Sequence, residues 1–156
     1  MAIRFNRLVR PGQADTRERY LAESYLRRKS VSDTMIFMSH KTGDEKAEAT
    51  ARYIAEKHQI KVYMAEWDDE IYGDSNALPD HIMQAIRKSN GFLVNVIAEI
   101  VVSMWIGYEI GGAHAMEKSR AKIMYNDVRR LPSVVRALRS LRNRNELDQW
   151  IIENLV

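Results

Sequence analysis

Thr34-Met35-Ile36-Phe37-Met38-Ser39-His40-Lys41-Thr42-Gly43-Asp44 is the stretch whose reading decides the fold. Four apolar residues follow Thr34 and run directly into a polar loop, which ends on an acid suited to capping a helix. Beyond that acid, Ala47, Ala51, Ile54, Ala55 and His58 recur at helical spacing. The unit is therefore strand, polar loop, helix. The same alternation continues outward from it. Residues 61–65 read as a second strand and 66–77 as a long loop. Leu78-Pro79 opens a helix, since proline is tolerated in the first turn, and its inner face is Leu78, Ile82, Ala85 and Ile86. Residues 92–96 form a third strand, 103–116 a helix and 121–125 a fourth strand. Helical candidates at 132–138 and 146–155 follow, with a short fifth strand near 140–142. Short apolar strands alternating with helices imply an α/β fold, an open parallel five-stranded sheet with helices on both faces. In such sheets the ligand lies beyond the C-terminal strand ends. Those ends carry residues 39–44, residues 66–77 and the loop into Ser103.

The chain before this alternation reads as an addition. Residues 1–12 look loose, with a turn at Pro11-Gly12. Asp15-Thr16-Arg17-Glu18 resembles a capping arrangement. Tyr20, Leu21, Ser24, Tyr25 and Leu26 then share one stripe that ends in Arg27-Arg28-Lys29, cations suited to a helix C-terminus. Residues 1–30 are thus expected to be an N-terminal extension with a short basic helix, and 31–156 the α/β domain.

Composition narrows the function classes. The chain has 156 residues, 46% of them apolar and 29% charged, which suits one globular domain with a real core. No apolar run approaches the ~18 residues of a membrane span, and no apolar segment backs the basic N-terminus as a secretory signal requires. Cysteine is absent, which excludes disulfides, thiolate nucleophiles and cysteine-based zinc sites. A cytoplasmic location is the expectation. The net charge of +3 and a pI near 9.2 invite a nucleic-acid reading. The basic residues cluster at the two ends without interleaved aromatics or a known motif, so a solvated basic face is expected instead.

Candidate chemistry is sparse. No G-x-G-x-x-G follows the first strand, and no phosphate-binding P-loop is present. Gly111-Gly112 falls inside a helix and reads as a close-packing site. His40, His58, His81 and His114 lack metal spacing, so no metal is expected. Ser39 has no nucleophile elbow around it. A phosphorelay receiver would need its acidic pair after the first strand, where this chain has Ser39-His40. One further stretch stands out, Ser103-Met104-Trp105-Ile106-Gly107-Tyr108-Glu109. Ser103 is placed to cap the helix. Trp105 and Glu109, four apart, share a face. Two readings stay open: a carboxylate in a partly desolvated pocket, or an amphipathic helix with a buried tryptophan and a rim glutamate.

The residues together carry a resemblance. Met35-Ile36-Phe37-Met38-Ser39-His40-Lys41, Asp44, Asp68 in the second-strand loop, Ala85-Ile86-x-x-Ser89, Phe92-Leu93-Val94 and Ser103-x-Trp105-x-x-x-Glu109 resemble, in order and spacing, a TIR (Toll/interleukin-1 receptor) domain of the bacterial, NAD-cleaving kind. The resemblance runs from about residue 34 to 113 and leaves out the first 30 residues. It implies the flavodoxin-like sheet already read from the alternation. It also implies Glu109 as the catalytic residue. Ser39, His40 and Lys41 would border the nucleotide, with Trp67, Asp68, Ser103 and Trp105 also at the substrate. The loop 66–77 would gate the site and join neighbouring subunits. NAD+ is then a substrate, with no cofactor beyond it.

That chemistry accounts for a single carboxylate. Ordinary glycoside cleavage wants an acid for the leaving group and a second carboxylate at the anomeric carbon. The nicotinamide of NAD+ is already cationic and leaves as a neutral molecule, so no acid is required. An ionised Glu109 would stabilise the oxocarbenium-like ribose, and Trp105 would wall the site or simply pack in the core. Capture by water gives ADP-ribose, and capture by an internal nucleophile gives a cyclic ADP-ribose. A short chain of this kind is expected to act through a small-molecule signal read by a separate effector, as in antiphage defence. The alternatives are a non-catalytic adaptor working by homotypic assembly, and an effector that subverts host TIR signalling.

Overall fold

A computed structural model describes residues 3–8, 33–41, 43–67, 78–97 and 104–156, with backbone alone for 3–8, 65–67 and 78. The elements in chain order are β1 (Ile3–Leu8), β2 (Met35–Ser39), α1 (Glu45–His58), β3 (Lys61–Trp67), α2 (Leu78–Lys88) and β4 (Gly91–Asn95). They are followed by α3 (Met104–Ala115), β5 (Ser119–Ile123), α4 (Ser133–Arg136), β6 (Arg139–Leu141) and α5 (Arg144–Leu155). The six strands lie in the order β1-β3-β2-β4-β5-β6. From β3 to β6 every pairing is parallel, which makes the expected five-stranded doubly wound sheet.

β1 is the departure from expectation. Residues 3–8, read from the sequence as part of a loose tail, pair antiparallel with β3, Ile3 opposite Trp67 and Leu8 opposite Tyr63. Ile3-Arg4-Phe5-Asn6 does alternate, but its density of arginine resembles a solvated tail. A charged, irregular strand suits a sheet edge, where it resists further pairing, and the register indeed shifts between Arg4 and Arg7. The same pairing corrects a boundary. β3 continues to Trp67, past the Met64 that faces Met38 of β2, because β1 supplies a partner for the extra residues. Glu66 and Trp67 are therefore strand residues and not the first part of the loop expected over 66–77. Residues 68–77, and the short basic helix expected before residue 30, lie outside the described residues.

Two apolar layers flank the sheet. Ile36, Met38, Val62, Met64, Leu93 and Ile123 point to α1 and α5, where Ala47, Ala51, Ile54, Leu147, Trp150 and Ile151 complete one cluster. Phe37, Phe92 and Val94 point the other way, to Ile82, Ala85 and Ile86 of α2, Ile106, Ile110 and Ala113 of α3, and Val135 of α4. This alternation of facing along each strand is the pleat itself. No helix among the described residues is long and apolar enough to cross a membrane.

Polar groups tie the layers together. Asp44 caps α1 as its spacing suggests, with Oδ1 accepting from the backbone N–H groups of Lys46 (3.0 Å) and Ala47 (3.2 Å). Its other oxygen accepts from Asn95 Nδ2 at 2.5 Å, so the cap also fastens the end of β4. Asp148 of α5 accepts from Tyr53 (2.7 Å) and Lys57 (2.6 Å) and lies 2.7 Å from His58 Nε2, all on α1. On β5, Lys122 is buried, and its ammonium donates to the carbonyls of Val135, Arg136 and Leu138 at 2.9–3.1 Å, closing the C-terminal end of α4. Burial, with Arg142 and Arg136 nearby, holds its pKa below the usual lysine value.

Candidate functional site

Between β2 and β4 the chain reverses its winding direction, which opens the crevice where open α/β sheets bind ligands. Ser39 is the last residue of β2 and pairs with Val94 of β4. Facing alternates along the strand, so Ser39 shares the side of Phe37, towards α2 and α3. From α3, Glu109 reaches the same region. Ser39 is 1% exposed and Glu109 6% exposed. Ser39 Oγ and Glu109 Oε2 are both buried, and neither meets full hydrogen-bond geometry with a described residue, although the Ser39 hydroxyl lies near enough to Glu109 to favour its charged form. Buried polar groups are otherwise nearly always paired, so these two make the end of β2, with the facing turn of α3, the candidate site.

Burial governs the charge of Glu109. It pushes the carboxyl pKa up to about 8, and the neighbouring Ser39 hydroxyl pulls in the opposite direction by a smaller amount. The neutral carboxyl therefore predominates at pH 7, with ionisation within easy reach of any positive charge brought beside it.

Of the two sequence readings of residues 103–109, the one with a buried tryptophan and a rim glutamate is inverted. Glu109 is the buried member, and Trp105 is half-buried, packed on the core and edge-on to Tyr108 at 5.7 Å. The reason is that α3 is apolar on nearly every side, so spacing alone cannot tell its inner face. Its position is fixed by neighbours. Tyr108 donates to the Pro79 carbonyl of α2 at 3.3 Å. Gly112, read as a close-packing site, is one: a Cβ there would lie 2.5 Å from Met83 Sδ.

The other expected site residues divide. His40 is buried beside Ser39, with Nδ1 3.1 Å from the Met38 carbonyl, and Lys41 is exposed on the loop. Trp67 ends β3, next to β2 in the sheet, with its backbone alone described. Asp68 and Ser103 lie outside the described residues.

Sequence reasoning passed over Asn95. It ends β4, holds Asp44, and lines a cleft of about 250 Å³ with Val96, Ile97, Tyr125 and Asn126 beyond β4 and β5. A buried asparagine closing an apolar strand was the available signal.

No family model matches the sequence, and neither does any curated protein. Among solved structures, the chain is similar to the TIR domain of the Toll-related receptor TRR-2 from Hydra magnipapillata. The two are 14% identical with a TM-score of 0.49, over 76% of this chain and 92% of that one.

Proposed function

We propose that the chain is a TIR domain that cleaves NAD+, with Glu109 as the catalytic residue. The observation that carries this reading is the buried Glu109 carboxyl, with one oxygen outside full hydrogen-bond geometry, beside the buried Ser39 hydroxyl at the C-terminal end of β2. A solvated or fully bonded glutamate would give no reason to expect chemistry there.

In this reading the nicotinamide ribose enters the crevice between β2 and β4. The bond between the ribose anomeric carbon and the ring nitrogen breaks, its electron pair returning to the nicotinamide, which departs neutral. The positive charge passes to the ribose. Glu109, ionised in the presence of the cationic ring, stabilises that charge in a site that excludes water, where fixed charges act strongly. Ser39 Oγ is free to hydrogen-bond a ribose hydroxyl or to hold the carboxylate in place. Water at the anomeric carbon gives ADP-ribose, and an internal nucleophile gives a cyclic product. Either product would serve as a signal for a separate effector, as in bacterial antiphage defence. Self-association through residues 66–77 belongs to the same reading.

The test is incubation with NAD+ and identification of the products by mass, for the native chain and for Glu109→Gln. Removing one preorganised charge-stabilising group costs on the order of 10²–10³ in kcat. Turnover in the variant equal to that of the native chain would move the chemistry away from Glu109.

A second reading, assembly without catalysis, draws on the outer face of α3. Met104 is 89% exposed and Tyr108 40% exposed, with Gly107 and Gly111 open between them and no Lys, Arg, Asp or Glu on that face. An uncharged exposed helix face suits a protein contact. Under that reading Glu109→Gln leaves the cellular function intact, which separates the two.

A further inference from the structure

The cleft of about 250 Å³ beyond β4 and β5 lies on the other side of the sheet from Glu109. Ile123, which lines it, belongs to the layer under α1 and α5, and Asn95 stands two residues beyond Leu93 of that layer. Burial pushes the Tyr125 phenol above its usual pKa, while Arg144 of α5 and Thr50 of α1 pull it the other way, which places the phenol beside both helices. The walls are of two kinds. Val96, Ile97, Ile123 and Val128 are aliphatic, whereas Asn95 and Asn126 bring amides and Tyr125 a neutral phenol. Apolar walls with a few placed polar groups are the make-up of a small-molecule site. The volume falls just under the ~300–1,000 Å³ that encloses a drug-sized ligand, so the cleft admits one ring system and leaves the rest of a ligand at its mouth.

Cations stand at that mouth. Asp127, a lining residue, accepts from Arg142 Nη1 at 3.1 Å, and both side chains are exposed. Exposed pairs of this kind are weak, and a guanidinium has five donors to share, so the acid holds Arg142 in place without using it up. Arg144 lies over the Tyr53 ring at 4.3 Å, near the Tyr125 phenol. It also opens α5 directly after β6, so the positive end of that helix lies at the same carboxyl edge of the sheet.

We propose that this cleft binds a purine nucleotide, with the base between the aliphatic walls and Tyr125 and the phosphate on Arg142 and Arg144. An amide matches the donor and acceptor edge of a purine, as asparagine does with adenine, and Asn126 supplies one. Asn95 spends its Nδ2 on Asp44 at 2.5 Å, so its part at the base is that of an acceptor. Phosphate suits two arginines, because the planar fork of each matches its oxygens. The site stands independently of the reading of the Glu109 crevice. A contact nevertheless links the two. Asp44 closes the turn onto Lys41 in the loop that follows Ser39, and Asn95 fastens Asp44, so an occupant of the cleft touches the residue that anchors this loop.

The experiment is calorimetric titration of the full chain with AMP, set beside CMP, adenosine and inorganic phosphate. AMP is expected to bind saturably, one per chain, and each of the other three probes more weakly by about tenfold or more. Arg144→Ala should weaken AMP by about tenfold and leave adenosine unchanged, whereas Asn126→Ala should weaken both alike. A photoactivated azido-adenine analogue of AMP, followed by peptide mapping, is expected to mark residues 95–97 or 125–128. Labelling confined to α3 and Ser39 places the nucleotide in the Glu109 crevice and overturns the proposal. So does the absence of AMP binding. Phosphate alone matching AMP shows an anion site only, and CMP matching AMP shows that the cleft does not read a purine; either result overturns it as well. An AMP affinity unmoved by both substitutions does the same. Where thermal melting shows a variant unfolded, the probe series and the label on the native chain decide alone.

Discussion

Replacing Glu109 by glutamine should stabilise the folded chain, and increasingly so as pH rises. The carboxyl has an ordinary value of 4.5 in the unfolded chain and about 8 in the folded one. A carboxyl whose pKa is raised by folding favours the folded state in full only below its unfolded value. That support is lost as pH rises towards the folded value, because the unfolded chain ionises freely while the folded chain must bury a charge. The gap between 4.5 and 8 corresponds to roughly 5 kcal/mol of stability lost once pH exceeds 8. About 3 kcal/mol of it is already lost at pH 7. Glutamine has nearly the same shape and never ionises. Its amide also lacks hydrogen-bond partners, but that cost does not vary with pH. The stability difference between variant and native chain should therefore widen by roughly 4 kcal/mol between pH 5 and pH 9. This is a large share of the ~5–15 kcal/mol that holds a typical domain together. Urea unfolding of both proteins at pH 5, 7 and 9 reads it directly. A difference that stays constant with pH would show that water reaches the carboxyl and would remove the basis for its unusual charge. A site that is costly to fold and gains from losing its key group is the expected signature of function bought against stability.

Two further perturbations test the frame that holds the site. Gly112→Ala should change stability by no more than about 1 kcal/mol, because the new methyl meets only the flexible end of Met83, which can turn aside, and alanine favours a helix over glycine by about 1 kcal/mol; a large fall in the thermal midpoint would show Met83 to be pinned between α2 and α3. Asp148→Asn removes the acid that joins α5 to Tyr53, Lys57 and His58 of α1. Native Asp148 is held down to about 2 from 3.8, so its contribution is present above pH 4 and fades as pH falls towards 2. After allowance for solvent screening, the variant should lose roughly 1 kcal/mol at pH 7 and nothing near pH 2, and chemical unfolding at the two pH values would expose a constant penalty if the reasoning fails.

The sequence by itself determined the succession of strands and helices from residue 34 onward. Short apolar runs bounded by polar loops, and apolar residues three and four apart, are local patterns that leave few folds open. It also singled out Ser39 and Glu109 as candidates. Tertiary structure decided what local patterns cannot express. β1 became a strand only because β3 offers it an edge, and Trp67 joined β3 for the same reason. Asp44 was legible as a cap, but its bond to Asn95 spans 51 positions, and the Tyr53–Asp148 bond spans 95. Lys122 could be recognised as buried only once α4 folded back and placed three carbonyls around it. The depth of Glu109 belongs in this second group. α3 carries apolar residues all round, so its sequence does not distinguish the side facing the sheet from the side facing solvent. Packing against α2, with Gly112 against Met83 and Tyr108 on Pro79, sets its rotation and turns the carboxylate inward to Ser39.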